Sequence, residues 1–515
     1  MPTSFGERLS NKSLRTPMTR RRALAVAGGM VVGSHLGLGR NASAQPAAAG
    51  WPGEMPAYTS LTAAVQGEAA RWNVPGMTAA VLHDGTREHA ATGVTNLDHP
   101  APVTPDTRFQ IGSISKVFTA TAIMTLVDEG KLDLDTPVTA WVPDLPLARK
   151  AGLETLTPRH LLNHTTGFEG DVFFDTGAGD DALAKGMERF AGIRQWTVPG
   201  EVFAYCNTGF YLAGRLIEVV TGQRCEDAIT ERVIAPLGLD QTGFASADLV
   251  TVPTASGHTL KSRDAGYAVY RPWALPRVVN AAGGIVSTVG DLLDFAEAHL
   301  RGGKRNGTRI LSSASTRAMR ERTSRQGAID VGFGIGWNLQ QVGGVALAGH
   351  GGATNGFRAH LVTVPERGFA LAMLTNGDAG ATAMEEIRRW ALKRWLDLDV
   401  RQREVIEADA SEMDAVAGCY QRHDAEIDVA RAGDHLRVTR RTIEHEDQFS
   451  HEPHEDDPPA EMDAWPTGDG VYRVLEGPYR DALVEFFDTR LFTGEGDELE
   501  SRPVVRSGNR LAERR

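Results

Sequence analysis

Cysteine and positive charge are both scarce in this sequence, and each shortage argues against a class of protein. Three cysteines, Cys206, Cys225 and Cys419, are spread over 515 residues, too few and too far apart for a disulfide framework or a metal knuckle. Lysine and arginine total 54 against 66 acidic residues, and the net charge of −12 argues against nucleic acid or an anionic membrane as the main partner.

The first 44 residues differ in composition from the rest of the chain. They carry a net charge of +6 and contain Thr19-Arg20-Arg21-Arg22, a mildly apolar run at 23–38 and the small residues Ala42-Ser43-Ala44. This order is typical of a twin-arginine export signal. The alternative is a membrane anchor, but the run is shorter than the roughly 20 residues that span a bilayer. We predict an export signal at 1–44 and a periplasmic or secreted protein without stable membrane insertion after cleavage.

Ser113 and Lys116 form the first chemically informative pair. Residues 113–129 place apolar side chains on helical spacing, and Gly130 supplies a helix stop. Residues three apart share a helix face, so the Lys116 amine can act as base for the Ser113 hydroxyl if burial or another cation lowers its pKa. The alternative is a surface serine and lysine, because S-x-x-K should occur by chance about once or twice in a chain this long. Further motifs elsewhere in the sequence must decide between a catalytic pair and two unrelated surface residues.

Apolar periodicity predicts one α+β domain over 45–398. Strands at 77–82 and 87–94 flank Asp84-Gly85, a dipeptide favoured in hairpin turns. The region between 132 and 300 is mainly helix and loop, so the sheet must combine strands from both ends of the domain. Further helices are predicted at 61–72, 157–162, 288–300 and 380–395, and further strands at 334–337, 345–348, 357–364 and 369–374. Thr288 and Asp291 are expected to form a capping box at the start of the helix at 288–300.

A charged linker at 399–412 separates this domain from a small β domain at 413–515. Apolar residues alternate with polar ones on both sides of Gly433, which predicts a hairpin, and more strands are expected at 471–475, 482–487 and 491–493. These strands can bury their own faces, and their sequence carries no catalytic group. We therefore expect the C-terminal domain to lie outside the active site.

We interpret the histidines outside the motifs described below as structural residues. His164 ends a short helix in Asn163-His164-Thr165-Thr166-Gly167, where a hydrogen-bonding turn residue is commoner than a catalyst. Residues 444–459 hold His445, His451 and His454 among acids and prolines. A metal site is the alternative there, but the spacing fixes no coordination geometry, so we predict a solvated loop.

Two further motifs argue that the Ser113–Lys116 pair is not a chance match to S-x-x-K. Tyr205-Cys206-Asn207 and His350-Gly351-Gly352 follow it in order. With them the chain resembles the class C β-lactamase and penicillin-binding-protein-like serine hydrolases over about residues 57–395. The resemblance implies an antiparallel sheet flanked by helices with a mainly helical subdomain, and some relatives carry a C-terminal lipocalin-like β-barrel similar to 413–515.

The resemblance also implies a role for each motif residue. Ser113 would be acylated, with Lys116 as its base, and Tyr205 would shuttle the proton, since a phenol near cations can lose its proton below a pKa of about 10. Asn207 would orient Lys116 and hold the substrate. The strand carrying Gly352 would line the cleft, and the amides of Ala353 and Ser113 would form the oxyanion hole. His350 would add positive or hydrogen-bonding character near Tyr205. The alternatives are a packing tyrosine and a turn histidine.

One departure bears on the substrate. β-Lactamases of this class usually carry lysine where this chain has His350, and histidine is charged only near or below its pKa of about 6.5. The His-Gly-Gly form is more similar to D-aminopeptidases, DD-peptidases and esterases of the family. We predict an exported serine hydrolase without cofactor or metal. Its expected partner is a small-molecule or peptide substrate, either a small ester or a peptide, including peptides with D-residues. The alternatives are a β-lactamase, a peptide-cyclising acyltransferase and a sensor that is acylated without turnover.

Overall fold

A mixed domain of sheet and helices is followed by a closed β-barrel. The computed structural model describes residues 57–515 except 246–248, 250, 263–265, 325–327, 329–331, 444–458, 478 and 494–495. The predicted export signal and nearly all of the histidine-rich segment at 444–459 therefore lie outside the described residues. Among those described, no helix combines the length and apolar character needed to cross a bilayer.

The helices lie mainly in the N-terminal domain, which we define as residues 57–398. They are α1 (Leu61–Arg71), α2 (Ser115–Asp128), α3 (Lys150–Thr155), α4 (Pro158–Leu162), α5 (Ala182–Glu188), α6 (Asn207–Thr221), α7 (Cys225–Ile229), α8 (Asn280–Gly283), α9 (Val289–Leu300), α10 (Ser313–Ala318), α11 (Gly380–Leu396) and α12 (Ala410–Val416).

The strands of this domain form one large sheet and several short pairings. They are β1 (Gly76–His83), β2 (Thr86–Gly93), β3 (Phe109–Gln110), β4 (Gly243–Phe244), β5 (His258–Ser262), β6 (Gly266–Val269), β7 (Ile285–Ser287), β8 (Lys304–Arg305), β9 (Thr308–Arg309), β10 (Gly332–Phe333), β11 (Asn338–Val342), β12 (Val345–Thr354), β13 (Phe357–Val364) and β14 (Phe369–Thr375).

The large sheet joins strands from both ends of the domain, as predicted. Its order is β10-β11-β12-β13-β14-β1-β2, with antiparallel neighbours throughout. Alternate residues of β14 enter two apolar clusters: Leu371 belongs to the cluster with α1 and α11, and Ala372 to the cluster with α2 and α9. Helices thus cover both faces of the sheet, and the predicted α+β class is confirmed.

Several local predictions are confirmed by the backbone. Asp84 and Gly85 both have positive φ, 49° and 78°, as the two-residue turn between β1 and β2 requires. Thr288 caps α9 by accepting a hydrogen bond from the Asp291 amide. The Asp291 carboxylate, however, accepts hydrogen bonds from Gln241 and Thr242 instead of returning to the cap.

The strand predicted at 334–337 is wrong. Gly336 has φ +77°, and the amides of Ile335 and Gly336 donate to the carbonyls of Met319 and Leu162 rather than to a neighbouring strand. The chain therefore bends between β10 and β11. A short apolar run was compatible with a strand, but its amides donate to carbonyls at the C-terminal ends of α10 and α4.

The C-terminal strands close into an eight-stranded antiparallel barrel, as the resemblance implied. They are β15 (Gly418–Arg422), β16 (Ala425–Ala432), β17 (His435–Thr442), β18 (Ala460–Pro466), β19 (Val471–Val474), β20 (Leu483–Phe492), β21 (Leu499–Ser507) and β22 (Arg510–Arg514). The strands predicted separately at 482–487 and 491–493 are one strand, β20, because Asp488 to Arg490 continue the pairing with β21. Met413 of α12 is buried in the apolar interior of the barrel.

The barrel packs against the N-terminal domain. The Phe492 amide donates to the Trp196 carbonyl at 2.7 Å, and Arg490 pairs with Glu201 at 2.6 Å. Trp196 lies in one apolar cluster with Leu491, Val504 and Leu511 of the barrel. This interface brings the turn between β21 and β22 toward the Ser113 side of the N-terminal domain.

Candidate active site

Ser113 lies in a tight turn that packs on the backbone of β12. The 3-10 turn Gly112–Ile114 leads directly into α2. Gly112 has φ +50°, and a Cβ there would lie 2.6 Å from the Ala353 nitrogen; a Cβ on Gly352 would lie 1.9 Å from the Ile111 carbonyl oxygen. Glycine at both positions therefore permits this close approach. It brings the amides predicted to form the oxyanion hole to adjoining positions.

The Lys116 amine lies next to the Ser113 hydroxyl in a dry environment. Its Nζ is 3.1 Å from Ser113 Oγ and donates to the Ala282 carbonyl at 2.6 Å. The lysine is fully buried, and this burial, with help from the Arg510 charge, holds its pKa well below the usual value. A neutral amine with a free lone pair is what proton removal from a serine requires.

Ser115, the other serine of the motif, is already occupied. Its Oγ accepts a hydrogen bond from the Ile285 amide at 3.1 Å, and the residue is fully buried. This bond ties the start of α2 to β7. Ser115 is therefore placed to support the turn, while Ser113 faces the base.

Tyr205 enters the site from the loop before α6. Its ring stacks on His164 at a centroid distance of 4.1 Å, and Lys116 Nζ lies 5.1 Å from the ring centre. The phenolic oxygen is buried and makes no hydrogen bond of regular geometry with the described residues. Burial raises the pKa of Tyr205, outweighing the lowering effects of Ser113 and Arg510. The expected lowering of the phenol pKa is therefore wrong, and burial favours the neutral phenol.

His164 holds the loop that carries Tyr205. Its Nδ1 accepts from the Cys206 amide at 3.0 Å, which leaves the proton on Nε2, and its carbonyl accepts from the Ala204 amide at 2.9 Å. Burial and the charge of Lys116 keep its pKa well below the usual value. His164 is thus neutral and supports Tyr205, which agrees with the interpretation of His164 as a structural residue.

Asn207 lies beside the site but contacts a different partner from the expected one. Its Nδ2 donates to Asp171 Oδ1 at 2.6 Å, and no hydrogen bond joins it to Lys116 among the described residues. Lys116 is held instead by the Ala282 carbonyl. Sequence spacing gave no hint of Asp171, which lies 36 residues before Asn207.

His350 projects from β12 toward Tyr205, with ring centroids 6.1 Å apart. Its Nδ1 donates to the Gly351 carbonyl at 2.6 Å, which leaves Nε2 as a buried acceptor without a partner among the described residues. Burial, reinforced by the charge of Lys116, lowers its pKa to about 3. The positive character considered for His350 is therefore wrong, and the hydrogen-bonding alternative remains.

This low pKa predicts that His350 gives no pH dependence to substrate binding near neutrality. KM for mono-p-nitrophenyl succinate and for neutral p-nitrophenyl butyrate should change in parallel from pH 6 to 8, because a group with a pKa of about 3 stays uncharged throughout. His350→Ala should slow both esters. A KM that climbs with pH for the succinate ester alone would instead show a histidine cation at work.

The barrel contributes residues that sequence reasoning missed. Arg510, the first residue of β22, pairs with Asp171 at 2.6 Å, and its guanidinium carbon lies 4.6 Å from the centre of the Tyr205 ring. The Asn509 carbonyl accepts from the Tyr205 amide at 2.8 Å. The expectation that the C-terminal domain lies outside the site is therefore wrong. The Gly508-Asn509 turn was recognisable in sequence, but the pairing of the next residue, Arg510, with Asp171, 339 residues away, was not.

Comparison with known proteins supports the family resemblance that the sequence motifs indicated. The Beta-lactamase family model matches residues 61–394. Penicillin-binding protein 4 of Amycolatopsis lactamdurans is 36% identical over 362 residues, which cover 68% of this chain and 94% of that protein.

Two solved structures are also similar. The crystal structure of SurE with D-Leu aligns over 88% of this chain and 98% of its own, with 25% identity and a TM-score of 0.63. The D-amino acid amidase of Ochrobactrum anthropi SV3, complexed with L-phenylalanine amide, aligns over 64% of this chain and 98% of its own, with 26% identity and a TM-score of 0.54. With a family model that spans most of its length, this chain belongs to the beta-lactamase family, within the β-lactamase and penicillin-binding-protein superfamily of serine hydrolases.

Proposed function

We propose that the protein hydrolyses small esters or peptides through an acyl-enzyme on Ser113. The observation that carries the proposal is the 3.1 Å contact between Ser113 Oγ and a fully buried Lys116 amine. Burial disfavours the charged ammonium, so the amine can accept a proton at neutral pH.

In the proposed acylation step, Ser113 Oγ attacks the substrate carbonyl carbon. The hydroxyl proton passes to Lys116 Nζ as the new C–O bond forms, and the amides of Ser113 and Ala353 stabilise the oxyanion. When the bond to the leaving group breaks, the leaving group takes a proton from Tyr205, which is replenished from Lys116. Water then attacks the ester on Ser113, and the same groups carry its protons in the reverse direction.

The acyl group is proposed to include D-residues. Support comes from the two solved structures, one holding D-Leu and the other described as a D-amino acid amidase. The neutral His350 argues against a β-lactam substrate, because it supplies no cation for the carboxylate that lysine would hold in a β-lactamase. Export is proposed from the basic, apolar order of residues 1–44 alone.

A substrate panel tests the proposal. Purified protein is offered p-nitrophenyl butyrate, D- and L-phenylalanine amides and a chromogenic cephalosporin, with and without glycinamide as an amine acceptor. We expect steady turnover of the ester and at least about a tenfold preference for the D-amide, since a site built for one enantiomer leaves polar groups unpaired with the other.

The other outcomes point to the alternatives. One equivalent of product without a steady state would indicate an acylated sensor. Faster turnover of the cephalosporin would indicate a β-lactamase. Predominant transfer to glycinamide would indicate an acyltransferase.

A further inference from the structure

The turn between β21 and β22 places a barrel arginine inside the site of the N-terminal domain. Arg510 is almost fully buried, with its side chain 5% exposed, and its partner Asp171 is 2% exposed. A buried bidentate pair of this kind is costly to break, because removing one partner leaves the other charge unpaired. The pair therefore holds the barrel against the catalytic loops.

Asp171 is shared between two residues of the site. Its Oδ2 accepts from Arg510 Nε at 2.6 Å, and its Oδ1 accepts from Arg510 at 3.2 Å and from Asn207 Nδ2 at 2.6 Å. The remaining terminal nitrogen of Arg510 donates to the Gly508 carbonyl at 2.9 Å. All three nitrogens of the guanidinium thus have protein acceptors. This arrangement suits positioning better than direct binding of a substrate carboxylate.

Arg510 also contacts Tyr205 in two ways. Its guanidinium carbon lies 4.6 Å from the ring centre, and the carbonyl of the preceding Asn509 accepts from the Tyr205 amide. Both the ring and the backbone of the proton-transfer residue are therefore held by the barrel turn.

We propose that Arg510 is a positioning residue of the active site, which acts with Asp171 to hold Asn207 and Tyr205, so that the docked barrel is required for rapid acylation of Ser113. This inference rests on the proposed function. It assigns the barrel a part in the chemistry of the N-terminal domain and makes the two a single catalytic unit.

The charges of Arg510 and Asp171 predict a measurable effect on the pH dependence of acylation. The Arg510 charge lowers the pKa of Lys116 and the Asp171 charge raises it. Other titratable groups near Lys116 hold one state near neutrality. Burial raises the pKa of the Cys206 thiol to about 12 and also raises the pKa of Tyr205, while His164 and His350 stay neutral. Because only neutral Lys116 is a base, acylation should rise with pH through its pKa.

The test measures the rate of labelling by a fluorophosphonate against pH. We call the part of the pH–rate profile where labelling accelerates the rising limb. Arg510→Gln should move the rising limb to higher pH by about one unit, because it removes a charge that lowers the pKa of Lys116. Asp171→Asn should move the rising limb to lower pH. The double variant removes both charges, so its limb should return toward that of wild type. Arg510→Lys keeps the charge but not the two-pronged contact, so it should keep the wild-type limb and label about tenfold or more slowly.

Controls separate this role from a merely structural one. Arg422→Gln breaks another buried pair of the barrel, Arg422 with Asp424 at 2.6 Å, and should lower the melting temperature without moving the limb. Glu169, on the same loop as Asp171, has a pKa raised by burial to about 7, so each profile is repeated with Glu169→Gln to remove its titration.

The outcomes separate this inference from the proposed function. Wild-type rate and limb in folded Arg510→Gln would overturn the positioning role while leaving Ser113 acylation intact. The same limb shift in Arg422→Gln would also overturn it. If Arg510→Gln does not fold, the double variant and Arg510→Lys decide, since neither leaves a lone buried carboxylate. Failure of wild type to label at all would refute the proposed function itself.

Discussion

Ser113→Ala should abolish both turnover and fluorophosphonate labelling. The substitution removes the hydroxyl that lies 3.1 Å from the Lys116 amine, and the methyl group of alanine cannot form the acyl bond. In serine hydrolases, loss of the nucleophile costs about 10⁴-fold or more in kcat, so no steady turnover should be measurable above the background. Mass spectrometry after labelling should find no adduct in the variant and one adduct, on Ser113, in the wild-type protein.

Ser115→Ala is the matched control, because it changes the same atom two residues away. It should keep the wild-type labelling rate within a few fold. It leaves the buried Ile285 amide without its acceptor, so the free energy of unfolding should fall by about 1–3 kcal/mol. Labelling that persists in Ser113→Ala and disappears in Ser115→Ala would reverse the assignment of the nucleophile.

Lys116→Met should lower kcat by about 10²–10⁴-fold, the usual effect of losing a positioned general base. Methionine has a similar length and fills the same buried space, but it cannot accept a proton from Ser113. Because the site no longer buries an ionisable group, we expect a melting temperature at least equal to that of wild type, as is common when a functional group is removed from an active site.

Two companion variants sharpen this result. Lys116→Arg keeps a permanent charge in the same dry site, so it should lose both activity and stability. Lys131→Met removes a half-exposed lysine paired with Glu129 just after α2 and should leave kcat unchanged. A Lys116→Met protein that turns over at the wild-type rate would show that another group activates Ser113.

The contact between Ser113 and Lys116 and several local elements could be predicted from the sequence because they depend on residues close together in the chain. Spacing of three puts Lys116 on the Ser113 face of α2, Asp84-Gly85 fits the positive φ of its hairpin, and Thr288 caps α9 through the next turn. Each of these interactions is fixed by backbone geometry within a few residues. The order of the three motifs indicated the family, and the family match bears this out.

The states of the remaining site residues depend on contacts that only the folded chain creates. Burial, which no spacing reveals, makes His350 neutral and raises the pKa of Tyr205 against the pull of nearby cations. Asp171 takes Asn207 as a partner, and Arg510 reaches the same carboxylate from a turn 339 residues further along the chain. The sequence by itself determined the contact between Ser113 and Lys116, the proposed nucleophile and base, because that contact is local. The tertiary structure decided the protonation states and the contact of the barrel with the site, because desolvation and through-space charge depend on segments distant in the chain.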